Sequence, residues 1–227
     1  MVNRELCRIK RINRVIINVL LAEKYINASC VISNHLVFKN GEIVFENKHT
    51  DLYSFLLSAY NYFCLSYPKF YKMDKLSKLG WLASEILLKD NFRAEKYHPD
   101  ETGLVLSNAN SSLDTDLKYF ETVKDIPSPS VFVYTLPNIM MGEICIRNNF
   151  KGENAFFVFD KFDADFMEQY VDNLINNNIV QACIFGWVDL LEEDYKAVLF
   201  LVEKEKNEQS SLFTQDNINK IFKADNG

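Results

Sequence analysis

Residues 102–107 read Thr-Gly-Leu-Val-Leu-Ser, a short, largely apolar run without polar alternation. The runs 155–159 (Ala-Phe-Phe-Val-Phe) and 180–185 (Val-Gln-Ala-Cys-Ile-Phe) have a similar character. A strand with one exposed face alternates apolar and polar residues, so largely apolar runs of this length indicate strands covered on both faces. We therefore predict that the three runs are neighbouring strands of one sheet.

Helices are predicted around these strands. Asp74 precedes apolar residues that recur at three- and four-residue steps, which predicts a helix over 74–89 that packs on the sheet. Asp163 or Asp165 can begin another packed helix, which ends at Asn176-Asn177-Asn178. Two further helices are predicted at 114–122 and 137–148. The segment 51–67 fits either a helix or irregular structure.

Four more strands are predicted, at 26–32, 36–38, 43–45 and 197–202. Asn40-Gly41 predicts a hairpin turn between the second and third of them. Because strands alternate with helical crossovers along most of the chain, the sequence predicts an α/β fold with a mixed, mostly parallel sheet and helices on both faces. Residues 26–204 should form this domain, preceded by an N-terminal extension (1–25) and followed by a polar C-terminal tail (205–227).

Composition excludes several classes of function. The 227 residues are 48% hydrophobic and 25% charged, which is typical of a globular protein with a real core. A net charge of −6 argues against nucleic-acid binding through phosphate neutralisation. Seven glycines, none in a P-loop or dinucleotide-binding motif, argue against these phosphate cradles. We therefore expect no cofactor and no nucleic-acid partner.

Cysteines and histidines give no metal-binding pattern. The five cysteines are widely spaced and mostly lie in apolar runs, which predicts buried thiols in a reducing, cytoplasmic compartment. The three histidines, His35, His49 and His98, share no ligand spacing, so no metal site is expected. Residues 15–22 are too short an apolar stretch for a membrane span and lead into Glu23 and Lys24 without a cleavage site, which disfavours a signal peptide; a short basic amphipathic helix and an extension that precedes the fold fit the N-terminus equally well.

Three segments, in this order, carry a resemblance: 72–76 (KMDKL), 102–106 (TGLVL) and 129–154 (PSVFVYTLPNIMMGEICIRNNFKGEN). Together they resemble the N-terminal half of the β-ketoacyl synthases, in the thiolase-like condensing-enzyme superfamily. The most specific piece is Leu136-Pro137-Asn138 with Gly142, followed by Lys151-Gly152-Glu153-Asn154. The resemblance covers residues 26–202 and implies half of a thiolase-like fold.

The chain departs from that family at the catalytic position. The resemblance implies a nucleophilic cysteine in a turn of small residues after the strand, but the position falls at Lys161 in Phe159-Asp160-Lys161-Phe162-Asp163. An ammonium group cannot form the thioester intermediate, and the two phenylalanines would crowd an acyl tunnel. Active members also need histidines from a second, duplicated half, which we do not expect here. No catalytic residue is therefore assigned.

Other chemically interesting residues have structural interpretations that we prefer. Lys161 beside Asp160 and Asp163 is more often a solvated ion pair than a catalytic amine. Cys145 and Cys183 are expected to be buried structural thiols, and His98 a turn residue. The segment 192–194 (Glu-Glu-Asp) is expected to be the solvated tip of a connection. Trp187, next to Gly186 where the family tends to have two glycines, suggests a filled site.

Three hypotheses for function follow. The first is a non-catalytic ketosynthase relative that acts as a partner or chain-length-factor-like subunit in fatty-acid-like or polyene biosynthesis. The second is a degenerate acyltransferase, or 3-oxoacyl-[acyl-carrier-protein] synthase, that completes its site with a partner chain. The third is a scaffold without a connection to acyl chains.

The resemblance also implies partners. In the family the strand before the nucleophile pairs antiparallel with its twofold mate, so residues 154–159 predict a homodimer or a heterodimer with a full-length ketosynthase. An acyl carrier protein is a further candidate partner. A monomer whose mass is unaffected by Phe157→Lys would mean that this strand is internal.

Overall fold

The structure, a computed structural model, describes residues 23–224. The predicted N-terminal extension lies almost entirely outside these residues. The described part contains one mixed sheet whose strands run in the order β3-β2-β1-β7-β6-β4-β5, with β8 pairing with β1. The strands are β1 Tyr25–Ser33, β2 Leu36–Lys39, β3 Glu42–Glu46, β4 Thr102–Asn108, β5 Asn154–Val158, β6 Ala182–Leu191, β7 Asp194–Glu203 and β8 Ser211–Leu212.

Helices cover both faces of the sheet, as predicted. They are α1 Leu52–Tyr62, α2 Lys75–Leu88, α3 Leu113–Val123, α4 Pro129–Phe132, α5 Asn138–Asn148, α6 Ala164–Asn176 and α7 Gln215–Phe222. One apolar cluster joins α1, α2 and α5 to one sheet face, and a second joins α6 and α7 to the other. On β4, Leu104 belongs to the first cluster and Val105 to the second, which is why the run shows no alternation.

Capping residues start the two long helices as predicted. The carboxylate of Asp74 accepts a hydrogen bond from the backbone N–H of Ser77 (2.9 Å) at the beginning of α2. Asp163, rather than Asp165, starts α6 by accepting from the N–H of Phe166 (3.0 Å). These bonds satisfy N–H groups that have no partner within the helix. Both helices pack on the sheet, and α2 is almost wholly buried.

The parallel pairs are confined to one part of the sheet. Strand β4 pairs in parallel with β5 on one side and with β6 on the other, so the three runs are neighbours as predicted. The other pairs, β1–β2, β2–β3, β1–β7, β6–β7 and β1–β8, are antiparallel. The sheet is therefore parallel around β4 and antiparallel in its remaining pairs. Short turns join β1 to β2, β2 to β3 and β6 to β7, and two strands joined by a short turn run in opposite directions.

Strand β5 differs from the prediction in its burial. It lies at one end of the strand order, and its ends, Asn154 and Val158, are exposed while its three central residues are half-buried. The apolar run 155–159 was expected to be covered on both faces, and it does pack on both, with Phe156 against the cluster of α1, α2 and α5 and Phe157 against the cluster of α6 and α7; its burial is only partial because no strand of the described chain flanks its outer edge. Among the described strands, β5 is therefore an apolar strand at the edge of the sheet.

Several segments settle points that the sequence left open. Residues 51–67 begin with α1, which Asp51 caps, and the Asn40-Gly41 turn is confirmed by positive φ values of 52° and 88°. The strand predicted to end at Phe185 continues to Leu191 and forms a long hairpin with β7. The predicted polar tail contains β8 and α7, and it buries Phe213 and Ile218. The domain boundaries at 26 and 204 remain predictions.

Candidate functional site

The loop after β5 holds the position to which the resemblance assigns the nucleophile. Residues 159–163 connect the end of β5 to the beginning of α6, and the N–H of Phe159 donates to the carbonyl of Asn108 on β4 (2.9 Å). Lys161 lies in this loop and is exposed. Together with Gln215 and Asn219 of α7, the loop lines an open depression.

Lys161 has none of the features of a catalytic amine. Across residues 23–224 it makes no ion pair and no hydrogen bond. Asp160 is exposed, and the carboxylate of Asp163 is used as the cap of α6. The prediction of a solvated lysine agrees with this exposure, whereas the expected pairing with the neighbouring aspartates is not found.

Aromatic rings fill the space beside the loop. Phe162 stacks on Phe222 of α7, with ring centroids 4.3 Å apart and planes within 11° of parallel. Trp187 of β6 meets Phe162 edge-on at 6.1 Å and is only 6% exposed. The sequence suggested that Phe162 and Trp187 fill the site; the structure brings them together and adds Phe222.

Helix α7 supplies part of this cover, and the sequence interpretation missed it. Its N-terminal N–H, on Gln215, donates to the carboxylate of Glu168 on α6 (2.8 Å), and Ile218 is fully buried. Burial raises the pKa of Glu168. The signal was present in Ile218, Ile221 and Phe222, which recur at the spacing of one helical face.

Three of the four described cysteines are poor nucleophiles, whereas Cys64 is exposed, contrary to the expectation of buried thiols. Cys183 is fully buried in β6, and burial raises its pKa strongly; burial also raises the pKa of Cys30 to about 12. Cys145 is half-buried on α5, where burial raises its pKa to about 11. A reactive thiol needs a lowered pKa and access to its substrate. The prediction of a buried structural thiol agrees with the environment of Cys183, whereas Cys145 is only half-buried.

Histidines and acidic residues have structural roles where the structure describes them. His98 precedes the 3-10 turn at Pro99–Glu101, where its N–H donates to Glu101 (2.8 Å), so it is a turn residue as predicted. The exposed segment 192–194 forms the tip of the β6–β7 hairpin, with residues 192 and 193 as the turn and Asp194 as the first residue of β7. Glu193 pairs with Lys75 (2.7 Å), and the hydrogen bond from Lys75 lowers its pKa.

Two of the glycines in the resembling segment differ in what they do. A Cβ on Gly152 would lie 2.5 Å from the carbonyl oxygen of Thr102, so the backbone approach there requires glycine. A Cβ on Gly142, in the interior of α5, would meet nothing within 4 Å. Packing therefore explains Gly152 and gives no reason for Gly142.

No group of three His, Cys, Asp or Glu side chains between residues 23 and 224 is arranged to hold a metal ion. None of the helices in this part of the chain combines the length and apolar character needed to cross a bilayer.

No protein-family model and no curated protein matches the sequence. Solved structures do match the fold. The ishigamide ketosynthase/chain length factor matches with a TM-score of 0.60 and 16% identity, over 80% of this chain and 62% of that chain. A ketosynthase in complex with its chain length factor from Xenorhabdus doucetiae matches with a TM-score of 0.52 and 11% identity, over 82% and 80%.

A third structure is a type II polyketide synthase acyl-carrier protein in complex with its ketosynthase bound to the hexaketide. It matches with a TM-score of 0.54 and 14% identity, over 81% of this chain and 63% of that chain. This chain thus spans less than two thirds of the length of the first and third structures. At these identities the likeness establishes the fold, and the chain therefore has the thiolase-like fold of ketosynthases and chain length factors.

Proposed function

We propose that this protein is a non-catalytic relative of the β-ketoacyl-[acyl-carrier-protein] synthases that acts as a partner, chain-length-factor-like subunit in fatty-acid-like or polyene biosynthesis. One observation carries the proposal: in a chain with the ketosynthase fold, the expected nucleophile position is an exposed lysine beside a cluster of stacked aromatic rings. An accessory subunit needs the fold for pairing but not the thiolate for acyl transfer.

The partner in this proposal is a full-length ketosynthase, with a second copy of this chain as the other possibility. The open edge of β5 supports pairing, since an apolar edge strand with free backbone groups is a template for another strand. A carrier protein is a further candidate, because one of the similar structures is a ketosynthase bound to its carrier protein. The pathway placement implies a cytoplasmic protein.

A second surface supports a partner. The outer side of α3 and the residues that follow it expose large apolar side chains: Leu113, Leu117, Phe120, Val123, Ile126, Phe132, Val133 and Leu136. Ile126 is 77% exposed and Phe120 63%. A protein that works alone rarely exposes so many neighbouring apolar side chains, so this α3 surface favours an interface.

Condensation assays test the non-catalytic part. We expect the purified chain to show no condensation of malonyl and acyl thioesters, and Lys161→Cys to restore none, because Phe162, Trp187 and Phe222 still fill the adjacent space. Condensation by Lys161→Cys would show that more of a site survives than we infer. Acyl transfer from a carrier-protein thioester by the unaltered chain, abolished by one specific substitution, would establish the degenerate acyltransferase instead.

A further inference from the structure

Lys78 on α2 is a buried cation without a carboxylate partner. It is 4% exposed, and its ammonium group donates to the backbone carbonyl of Met73. Its Nζ also lies over the rings of Tyr53 (5.5 Å) and Phe70 (5.7 Å). In the described chain no carboxylate lies within ion-pair distance of it. A buried charge is costly unless it is paired, so this position calls for an explanation.

A pocket of about 290 Å³ adjoins the Lys78 side chain. Lys72, Lys75, Lys78 and Lys118 all line it, whereas Asp74 is its single acidic lining residue. The hydroxyl-bearing residues Thr115, Ser130, Tyr53 and Tyr134 also line it. We call it the Lys78 pocket.

The charges around the Lys78 pocket do not balance. Lys75 is paired with Glu193 (2.7 Å) and Lys118 with Asp114, so these two cations have partners. The carboxylate of Asp74 accepts from the N–H of Ser77 (2.9 Å) and from the hydroxyl of Thr115 (2.6 Å). Lys72 is exposed and makes no ion pair with any described residue. The carboxylate of Asp74, already engaged in two hydrogen bonds, is therefore the single negative charge lining the pocket to set against the two remaining ammonium groups, those of Lys72 and Lys78.

Burial lowers the pKa of Lys78, and the nearby positive charge of Lys118 lowers it further, while Asp74 acts in the opposite direction. An anion in the pocket would favour the charged form of Lys78 and offset the cost of its burial.

We propose that the Lys78 pocket binds the phosphate group of a small molecule, with Lys78 at its buried end and Lys72 at its entrance. A phosphate offers several acceptor oxygens and up to two negative charges, which suits two ammonium groups together with pocket hydroxyls. The aromatic residues Tyr53 and Tyr134 give the pocket walls on which an organic group can pack. Inorganic phosphate and a phosphate ester share this chemistry.

This site lies apart from the depression at Lys161, although its α3 and α4 residues neighbour the α3 surface. The Lys78 pocket is lined by residues of α1, α2, α3 and α4 and of the turns that precede α2 and follow α4, on the sheet face that α1 and α2 cover. The depression at Lys161 lies beside α6 and α7, which cover the opposite face. Failure of either proposal leaves the other standing.

Isothermal titration calorimetry of the full chain with inorganic phosphate and with phenyl phosphate tests the proposal. We expect saturable 1:1 binding by the unaltered protein, and a dissociation constant about 10- to 100-fold higher in Lys78→Met, which keeps the side-chain length and removes the charge. Lys72→Gln should raise it about tenfold. Lys69→Gln is the matched control, because Lys69 lies in the same 3-10 turn as Lys72 but pairs with Glu143 outside the pocket.

The possible results separate cleanly. Tighter binding of phenyl phosphate than of phosphate assigns the pocket to an organic phosphate, and equal or weaker binding assigns it to free phosphate. No binding by the unaltered protein at tens of millimolar overturns the proposal. Equal weakening by Lys72→Gln and Lys69→Gln also overturns it, since that would reflect surface charge alone. Should Lys78→Met fail to fold by circular dichroism, the comparison of Lys72→Gln with Lys69→Gln decides.

Discussion

Gly186, in the middle of β6, is the position where a single methyl group should damage the fold most. A Cβ built on its backbone, where φ is +156°, lies 2.0 Å from the carbonyl oxygen of Val198 on β7, and real Cβ contacts essentially never fall below 3.0 Å. The neighbouring atom belongs to the backbone, so no side-chain rotation can relieve the clash. Gly186→Ala must therefore push β6 and β7 apart by about 1 Å at the centre of the sheet.

The cost of this displacement follows from its place in the sheet. Gly186 pairs with Leu199 of β7 on one side and with Leu106 of β4 on the other, so movement disturbs the register of both pairs. Overpacking a core costs about 1–3 kcal/mol, and a backbone clash belongs at the upper end, so we expect a loss of about 3 kcal/mol. For a chain of this size that lowers Tm by about 6–12 °C.

Gly142→Ala is the matched control for Gly186→Ala. Nothing lies within 4 Å of the added methyl, and alanine is the better helix former, so we expect a gain of about 0.5–1 kcal/mol. Urea and thermal denaturation followed by circular dichroism measure both variants. A Gly186→Ala protein as stable as the unaltered chain would refute the close approach of β6 and β7, and a destabilised Gly142→Ala would reveal a contact to α5 that we have not identified.

Three further predictions concern other parts of the molecule. Phe222→Ala should lower the free energy of unfolding by about 1–2 kcal/mol and shift the fluorescence of Trp187 to longer wavelength. Phe120→Ala, on the exposed α3 surface, is the control and should change neither quantity. An unchanged fluorescence spectrum in Phe222→Ala would contradict the packing of α7. In alkylation followed by mass spectrometry, the exposed Cys64 should react first among the four cysteines of residues 23–224, Cys145 slowly, and Cys30 and Cys183 only after unfolding; early labelling of Cys183 would contradict its burial. Burial raises the pKa of Tyr97, Tyr134 and Tyr195 to about 12, above their value near 10 in the unfolded chain. The unfolded chain therefore releases these protons at lower pH than the folded chain, and the free energy of unfolding should fall between about pH 10 and 12. A free energy of unfolding that stays constant across that range in urea titrations would be inconsistent with buried phenols.

Local signals predicted much of the fold. Asp74 and Asp163 mark their helices because a capping carboxylate acts within three residues of its own position. The three apolar runs could be recognised as neighbouring strands because helices cover both faces of such strands, and a strand with no face in water needs no alternating polar residues. These effects depend on residues close in sequence, so they can be read without a structure.

Features that depend on distant residues could not be predicted as well. The apolar run at 155–159 cannot reveal whether a strand of the same chain lies beside it, and in the described structure β5 is an edge. The cover over Phe162 comes from Phe222, 60 residues further on, in a helix of eight residues that was interpreted as part of a polar tail. The unpaired charge of Lys78 depends on which groups converge around α2, which its sequence neighbours do not show.

The partner surface can be tested with variants that respect the packing of β5. The ring of Phe157 lies against Phe166 (4.8 Å) and Tyr170 (5.1 Å) of α6, so Phe157→Lys would damage the core as well as the edge. Val158 is 55% exposed and offers a cleaner change. Ile43, 56% exposed on the edge strand at the other end of the sheet, is its matched control.

Sedimentation of this chain mixed with the full-length ketosynthase of the same organism, at micromolar concentration, tests the central claim most directly. We predict a heterodimer whose mass is the sum of the two chains, which Val158→Lys abolishes and Ile43→Lys leaves intact. A homodimer that Val158→Lys alone dissociates would assign the same edge to a second copy of the chain. A monomer that never associates with the ketosynthase, with or without either substitution, would contradict the account of this protein as a partner subunit.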